Sequence, residues 1–99
     1  MDDPSPTLPT FVLWRTAGCG LCDETRHLLR LLLAERAAAG LVAPAVVERD
    51  LTDHPAVERE LFELIPVLEL GDRRLKLAVR LEPIRAFLAE QLDGAGPRP

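Results

Sequence analysis

The stretch that decides the fold is FVLWRTAGCGLC, residues 11–22. It opens with an apolar, β-rich run at residues 11–14, which is typical of a strand buried on both faces. A turn of small residues follows, and residues 19–39 then show the spacing of a long helix. The only two cysteines of the sequence, Cys19 and Cys22, therefore stand where a strand gives way to a helix.

The rest of the chain alternates short strands and helices. The patterns predict a second strand at residues 45–50, a short helix at 55–62, a hairpin of strands at 67–70 and 75–79, and a last helix at 82–92. The element order is β-α-β-α-β-β-α. Because the first βαβ unit requires a parallel strand pair with a right-handed crossover, we expect a three-layer α/β sandwich with helices on both faces of one sheet.

Length and composition allow a single domain. The chain has 99 residues, of which 47% are hydrophobic, and this is enough for one modest core. Prolines make residues 1–9 a predicted flexible arm, and a Gly- and Pro-rich end makes residues 94–99 a predicted flexible tail. We therefore place the folded domain at residues 10–93.

Charge and hydropathy exclude several classes of protein. The net charge is −4, and the 12 basic residues are scattered along the chain, whereas nucleic-acid binders usually cluster them on one face. No stretch approaches the roughly 18 consecutive apolar residues of a membrane span. The acidic, Pro-rich start lacks the features of a secretory signal. We expect a cytoplasmic monomer that binds neither nucleic acid nor membranes.

The cysteine pair points to redox chemistry. A bridge between cysteines so close in sequence contributes little stability, and a secreted scaffold would carry more cysteines. At a helix N-terminus, unpaired N–H groups and the helix dipole lower a thiol pKa and favour the nucleophilic thiolate. We predict that Cys19 attacks a disulfide and that Cys22, one turn further and at the edge of the apolar arc, resolves the mixed disulfide. Asp23 and Glu24 are expected to temper the activation.

A metal site is the main alternative for this pair. Structural zinc needs four ligands, and His27 lies about 12 Å from Cys19 along the helix axis, too far to close a site. The sequence does not place His54 in space. Dithiol redox chemistry is the favoured interpretation and no metal ligand is predicted within the chain, while a metal shared between chains and an inert pair remain open.

Two motifs together resemble a known family. GCGLCDE at residues 18–24 matches the Gly-Cys-x-Leu-Cys-Asp-Glu pattern of short bacterial glutaredoxin-like proteins of the thioredoxin superfamily, and Pro66 follows in Ile65-Pro66-Val67 at a strand start. The resemblance covers residues 11–92. It implies a thioredoxin-like fold with sheet order 2-1-3-4, a third strand antiparallel to the first, and a cis Ile65–Pro66 bond.

The resemblance also implies a substrate groove beside Cys19. In the superfamily this proline faces the cysteines, and the backbone of the residue before it pairs with the substrate chain. Carried over, the backbone of Ile65 binds a peptide or glutathione. Pro66, Gly20 and Leu21 then shape the groove.

Three departures from the glutaredoxin pattern concern glutathione. The chain has no tyrosine and therefore none between its cysteines. The position three before the first cysteine, often basic in glutaredoxins, is Thr16, and the cation is Arg15. The Gly-Gly-x-Asp element before the last helix is replaced by VRLE, residues 79–82. Arg15, Thr16 and Arg80 stand at or near the positions that bind glutathione in glutaredoxins, and they are the candidate contacts for glutathione as a co-substrate.

These residues together predict a thiol–disulfide oxidoreductase. Its substrate is a disulfide-containing protein or a small thiol, an external thiol system resets the pair, and no bound cofactor is needed. Two other functions remain open. One is a binding adaptor in which the cysteines are incidental, and the other is a metal or iron–sulfur carrier that bridges two chains through Cys19. Trp14 is expected in the core or in the wall of the groove, and His54 at the capping position before Pro55.

Overall fold

Four strands form one mixed sheet in the order β2-β1-β3-β4. The structure, a computed structural model, describes residues 10–94; the predicted arm at 1–9 and the predicted tail beyond Gly94 lie outside them. In chain order the elements are β1 (Phe11–Arg15), α1 (Gly20–Ala38), β2 (Val46–Asp50), a 3-10 turn (Leu51–Asp53), α2 (Pro55–Leu61), β3 (Val67–Leu70), β4 (Arg73–Leu75) and α3 (Leu81–Leu92).

The strand directions are those of a thioredoxin-like sheet. β2 runs parallel to β1, while β3 is antiparallel to both β1 and β4. The predicted α/β class, the sheet order and the antiparallel third strand are therefore confirmed. No helix within residues 10–94 combines the length and the apolar character needed to cross a membrane.

The central strand β1 builds a core on each face of the sheet, because successive side chains of a strand point to opposite faces. Phe11 and Leu13 pack in the larger core with α1 and α3, and Val12 and Trp14 pack in the smaller core with α2. Trp14 is only 3% exposed, as predicted for a core residue. Two helices thus cover one face and one helix covers the other.

A buried arginine ties the end of α1 to the end of α3. Arg36 is 6% exposed, and its Nε donates to the Val42 carbonyl at 2.6 Å while its terminal nitrogens pair with the Asp93 carboxylate. A buried charge is costly unless it is paired and hydrogen-bonded, and both conditions are met here. The same ion pair holds the pKa of Asp93 below its usual range.

The predicted position of the fourth strand is wrong. β4 occupies Arg73–Leu75 rather than residues 75–79. A tight turn at residues 71–72 reverses the chain so soon that the partner of Leu70 is Arg73. Most of the apolar run at 75–79 therefore lies outside the sheet.

After β4, residues 76–80 pass beside the segment that precedes β3, and they are here named the crossing segment. Leu77 adopts a φ of 51°, a left-handed value that is uncommon for a residue other than glycine. Its N–H donates to the Leu64 carbonyl, and the N–H of Ala78 donates to the Pro66 carbonyl, both at 2.8 Å. These hydrogen bonds replace the strand pairing and bring the crossing segment next to the proline on which the resemblance depends.

Candidate active site

The cysteine pair lies at the start of α1, where the sequence predicts it. Gly18 turns the chain after β1 with a φ of 74°, a conformation that glycine adopts without steric cost. Cys19 is the N-cap residue, and its Sγ accepts the N–H of Cys22 at 3.1 Å. The carbonyl of Cys19 accepts the N–H of Asp23 at 3.2 Å. The Cys19 sulfur therefore receives one of the N–H groups that a helix leaves unpaired at its start.

The two cysteines are joined in a disulfide and differ in exposure. Their Cα atoms lie 5.2 Å apart. Cys22 is 1% exposed, whereas Cys19 is half-buried and is followed by the exposed Gly20 and Leu21. An incoming thiolate therefore meets Cys19 rather than Cys22.

The Ile65–Pro66 peptide bond is cis, which confirms the expectation drawn from the resemblance. Pro66 is buried, and its carbonyl is occupied by the N–H of Ala78. Ile65 is half-buried, and no other described residue forms a hydrogen bond with its backbone N–H or carbonyl. A free donor and a free acceptor on one residue are what an extended substrate chain needs for pairing.

Thr25 connects this proline to the helix that carries the cysteines. Its side chain is fully buried, and its Oγ1 lies 2.5 Å from the Ala78 carbonyl and 3.1 Å from the Leu21 carbonyl. Because the N–H of Ala78 donates to the Pro66 carbonyl, Thr25 and Ala78 link α1 to Pro66. Sequence reasoning missed this role, and the only signal for it is a threonine on the apolar arc of the helix.

Five charged side chains form a cluster between α1 and the sheet, here named the Glu48 cluster: Arg15, Asp23, Arg26, Glu48 and Asp50. Glu48 accepts Nε of Arg15 at 2.8 Å, and Nε and Nη2 of Arg26 at 2.6 and 2.8 Å. Arg26 also contacts Asp23 at 2.6 Å, and Arg15 lies 3.7 Å from Asp50. Carboxylates thus neutralise both guanidinium groups. No sequence motif singles out Glu48.

The ion pairs of this cluster change how its members titrate. Hydrogen bonding to Arg26, aided by Arg15 and opposed by partial desolvation, lowers the pKa of Glu48 to about 2. Hydrogen bonds to Glu48 and Asp23 raise the pKa of Arg26 above its usual value. Glu48 therefore stays anionic, and Arg26 cationic, at every pH at which thiols exchange.

This pairing predicts an acid-sensitive link between α1 and β2. A carboxyl group with a lowered pKa contributes its stabilisation above the ordinary value of 4.5 and loses it as the pH falls towards the folded value of about 2. We expect the urea midpoint of the wild type to fall more steeply between about pH 5 and pH 2.5 than that of Glu48→Gln. Urea unfolding followed by circular dichroism measures both slopes, and equal slopes would contradict the prediction.

The three candidate glutathione contacts have different surroundings. Arg15 is held within the Glu48 cluster. Thr16 is half-buried where β1 passes into the turn. Arg80 is the exposed N-cap residue of α3 and has no ion-pair partner among residues 10–94. Of these three residues, Arg80 alone offers an unpaired guanidinium group to a ligand.

The histidines lie apart from any cluster of metal-ligating groups. Within the described part of the chain, no three or more His, Cys, Asp and Glu side chains are grouped so that they could hold a metal ion. His54 packs edge-on against Trp14, with ring centroids 5.1 Å apart and planes at 84°. It occupies the predicted N-cap position of α2, but its side chain makes no capping hydrogen bond. His27 is exposed on α1.

Comparison with known proteins identifies a shared fold. No protein-family model matches the chain, and no curated protein matches it. The X-ray structure of the Northeast Structural Genomics target protein XcR50 from X. campestris is similar, with a TM-score of 0.65 and 24% identity over 88% of this chain and 100% of that chain. The solution structure of the same target has a TM-score of 0.63 and 23% identity, and covers 91% of this chain and 99% of that chain. The chain therefore shares its fold with XcR50.

Proposed function

We propose that this chain is a thiol–disulfide oxidoreductase of the glutaredoxin-like type within the thioredoxin superfamily. The observation that carries the proposal is the disulfide at the start of α1 between the half-buried N-cap residue Cys19 and the buried Cys22. A helix N-terminus stabilises a thiolate, which is the species that attacks disulfides. The fold alone supports no activity, because one fold serves many functions.

The two cysteines take successive steps in the proposed reaction. The Cys19 thiolate attacks a substrate disulfide, which forms a mixed disulfide and releases one substrate thiolate. Cys22 then loses its proton and attacks the Cys19 sulfur, which closes the Cys19–Cys22 bond and releases the second substrate thiol. Two electrons and two protons pass to the substrate. An external thiol system returns them to the protein, so the cycle needs no metal or bound organic cofactor.

The surroundings of the pair favour a peptide substrate. The backbone of Ile65, which has no hydrogen-bond partner among residues 10–94, can pair with an extended chain, as the proline motif of the superfamily implies. Leu21 and Leu77 are 54% and 52% exposed and provide apolar surface on the first turn of α1 and on the crossing segment. We infer that a disulfide-bearing polypeptide is the main substrate. Glutathione as a co-substrate depends on Arg80 and Thr16.

The reduction potential of the Cys19–Cys22 pair tests the proposal. The protein is equilibrated in graded dithiothreitol and glutathione buffers, its free thiols are alkylated, and intact mass gives the oxidised fraction. We expect a reversible two-electron transition between about −270 and −200 mV, the span of thioredoxins and glutaredoxins. If no intramolecular disulfide forms in any buffer, or if metal must be removed before the thiols react, the proposal fails. An adaptor or a metal carrier would then replace it.

A further inference from the structure

We propose that Glu48 is a positioning residue that sets the electrostatics of the cysteine pair. Together with Asp23 and Asp50 it balances the charges of Arg15 and Arg26, and its own negative charge opposes the stabilisation of the Cys19 thiolate and so makes the disulfide harder to reduce. The inference rests on the proposed function and extends it to a residue outside the cysteine motif. Glu48 lies on the edge strand β2, whereas the cysteines lie at the start of α1. It acts on them through the two arginines that it binds.

The side chain of Arg26 turns back towards the cysteines. Residues seven apart on a helix are separated by about 10 Å along its axis. However, Nη1 of Arg26 contacts Oδ1 of Asp23 at 2.6 Å, and Asp23 belongs to the first turn, where its N–H donates to the Cys19 carbonyl. The guanidinium group therefore lies roughly one turn, about 6 Å along the axis, from Cys19. That range is shorter than the Debye length of about 8 Å at physiological ionic strength, so the charge still acts on a thiolate there.

Glu48 grips this guanidinium in a fixed orientation. Its two carboxylate oxygens take Nε and Nη2 of Arg26 at 2.6 and 2.8 Å, which is a two-point ion pair with defined geometry. The same carboxylate accepts Nε of Arg15 at 2.8 Å from the end of β1. Arg15 and Arg26 are the basic residues nearest in sequence to the two cysteines, and both are paired with carboxylates.

This charge balance acts on only one redox state. During reduction by dithiothreitol, a reagent thiolate attacks the Cys19 sulfur, breaks the disulfide and releases Cys22, which takes a proton. The second reagent thiolate then attacks the reagent sulfur of the mixed disulfide, which yields the cyclic reagent disulfide and releases Cys19 as a thiolate. The protein disulfide is neutral, whereas the Cys19 thiolate is charged. Loss of a negative charge from the cluster therefore favours the reduced state, and loss of a positive charge favours the oxidised state.

Variants of the ion pair are expected to shift the equilibrium in opposite directions. Glu48→Gln removes the charge at nearly constant shape and should favour the reduced pair about three- to tenfold, where tenfold corresponds to about 30 mV. Arg26→Gln leaves Glu48 and Asp23 without this cation and should favour the oxidised pair by a similar factor. The double variant should return close to the wild type. Damage to the fold alone would not shift the redox equilibrium in opposite directions in the two single variants.

The control removes the same charge far from the cysteines. Glu90 is an exposed residue near the end of α3, the end that the Arg36–Asp93 pair joins to the far end of α1, and it has no ion-pair partner among residues 10–94. Glu90→Gln should leave the midpoint unchanged. The cations of the crossing segment, Lys76 and Arg80, are present in every variant.

Two measurements decide the matter. The midpoint is obtained as for the wild type, and the thiolate of the reduced protein is titrated by its ultraviolet absorbance; both shifts should shrink in high salt. Equal midpoints for wild type and Glu48→Gln, or shifts of Glu48→Gln and Arg26→Gln in one direction, would overturn the role of Glu48 while leaving the oxidoreductase intact. If the wild-type pair does not cycle at all, the proposed function fails and the role of Glu48 fails with it.

Discussion

A Cys19→Ser variant is expected to lose disulfide exchange down to the uncatalysed rate. A serine hydroxyl stays protonated at neutral pH and forms no disulfide, so the start of α1 no longer carries a nucleophile. Cys22→Ala should keep the first step and lose the second, which leaves Cys19 trapped in a mixed disulfide. Alanine suits this position because Cys22 is 1% exposed, and a buried serine hydroxyl would need a hydrogen-bond partner.

Turnover of a protein disulfide and intact mass after quenching separate these outcomes. Cys22→Ala should gain the mass of the substrate on Cys19, whereas Cys19→Ser should show no adduct. An adduct on Cys22 in the Cys19→Ser variant would reverse the proposed roles. A chain that binds its partner equally well with and without Cys19, and exchanges no disulfides, would be an adaptor.

Truncation of Leu32 to alanine is expected to lower the free energy of unfolding by about 2–5 kcal/mol. Leu32 is 1% exposed and lies in the larger core between the sheet, α1 and α3. The cost combines the lost transfer of its methyl groups from water with the cavity that remains. In a domain of this size each kcal/mol lost lowers the melting temperature by about 4–8 °C, so the melting temperature should fall by roughly 10 °C or more. The loss is large against a total stability of about 5–15 kcal/mol.

The adjacent residue offers a matched control. Leu31 is 53% exposed on the same helix, and alanine is at least as good a helix former as leucine. Leu31→Ala should therefore change the stability by no more than about 0.5 kcal/mol. Thermal and urea unfolding followed by circular dichroism measures both variants. Similar losses at the two positions would mean that α1 does not bury the face described here.

Local signals explain which elements the sequence predicts well. The β-rich run at residues 11–14 and the small-residue turn before Cys19 lie directly beside the elements that they specify, and the observed β1 and α1 agree closely with them. The sheet order depends on which strands meet in space, and it was predicted only through the family resemblance. β4 was misplaced because alternating apolar residues at 75–79 mimic a strand. In the folded chain Leu77 and Ala78 hydrogen-bond to the segment before β3 instead.

In the candidate site, too, the sequence predicts the local features but not the contacts between residues distant in sequence. Its two cysteines lie in one short segment, so their spacing and their position at the start of a helix indicate the site. The contacts around them join residues far apart in sequence: Arg26 and Glu48 are separated by 22 positions, and Thr25 and Ala78 by 53. No local pattern marks such pairs, since packing of whole elements brings them together. Glu48 in particular has the sequence signature of an ordinary strand-edge charge.

The position of β1 has a consequence for the chain as it leaves the ribosome. β1 is the first strand of residues 10–94 in chain order, yet it lies in the middle of the sheet and pairs with both β2 and β3. At about 5–20 residues per second, synthesis from the end of β1 to the end of β3 at Leu70 takes about 3–11 seconds. Throughout that interval a strand that is buried on both faces in the finished protein has an unpaired edge. Residues 11–14, each no more than 3% exposed in the folded chain, therefore depend for their burial on partners that are synthesised later.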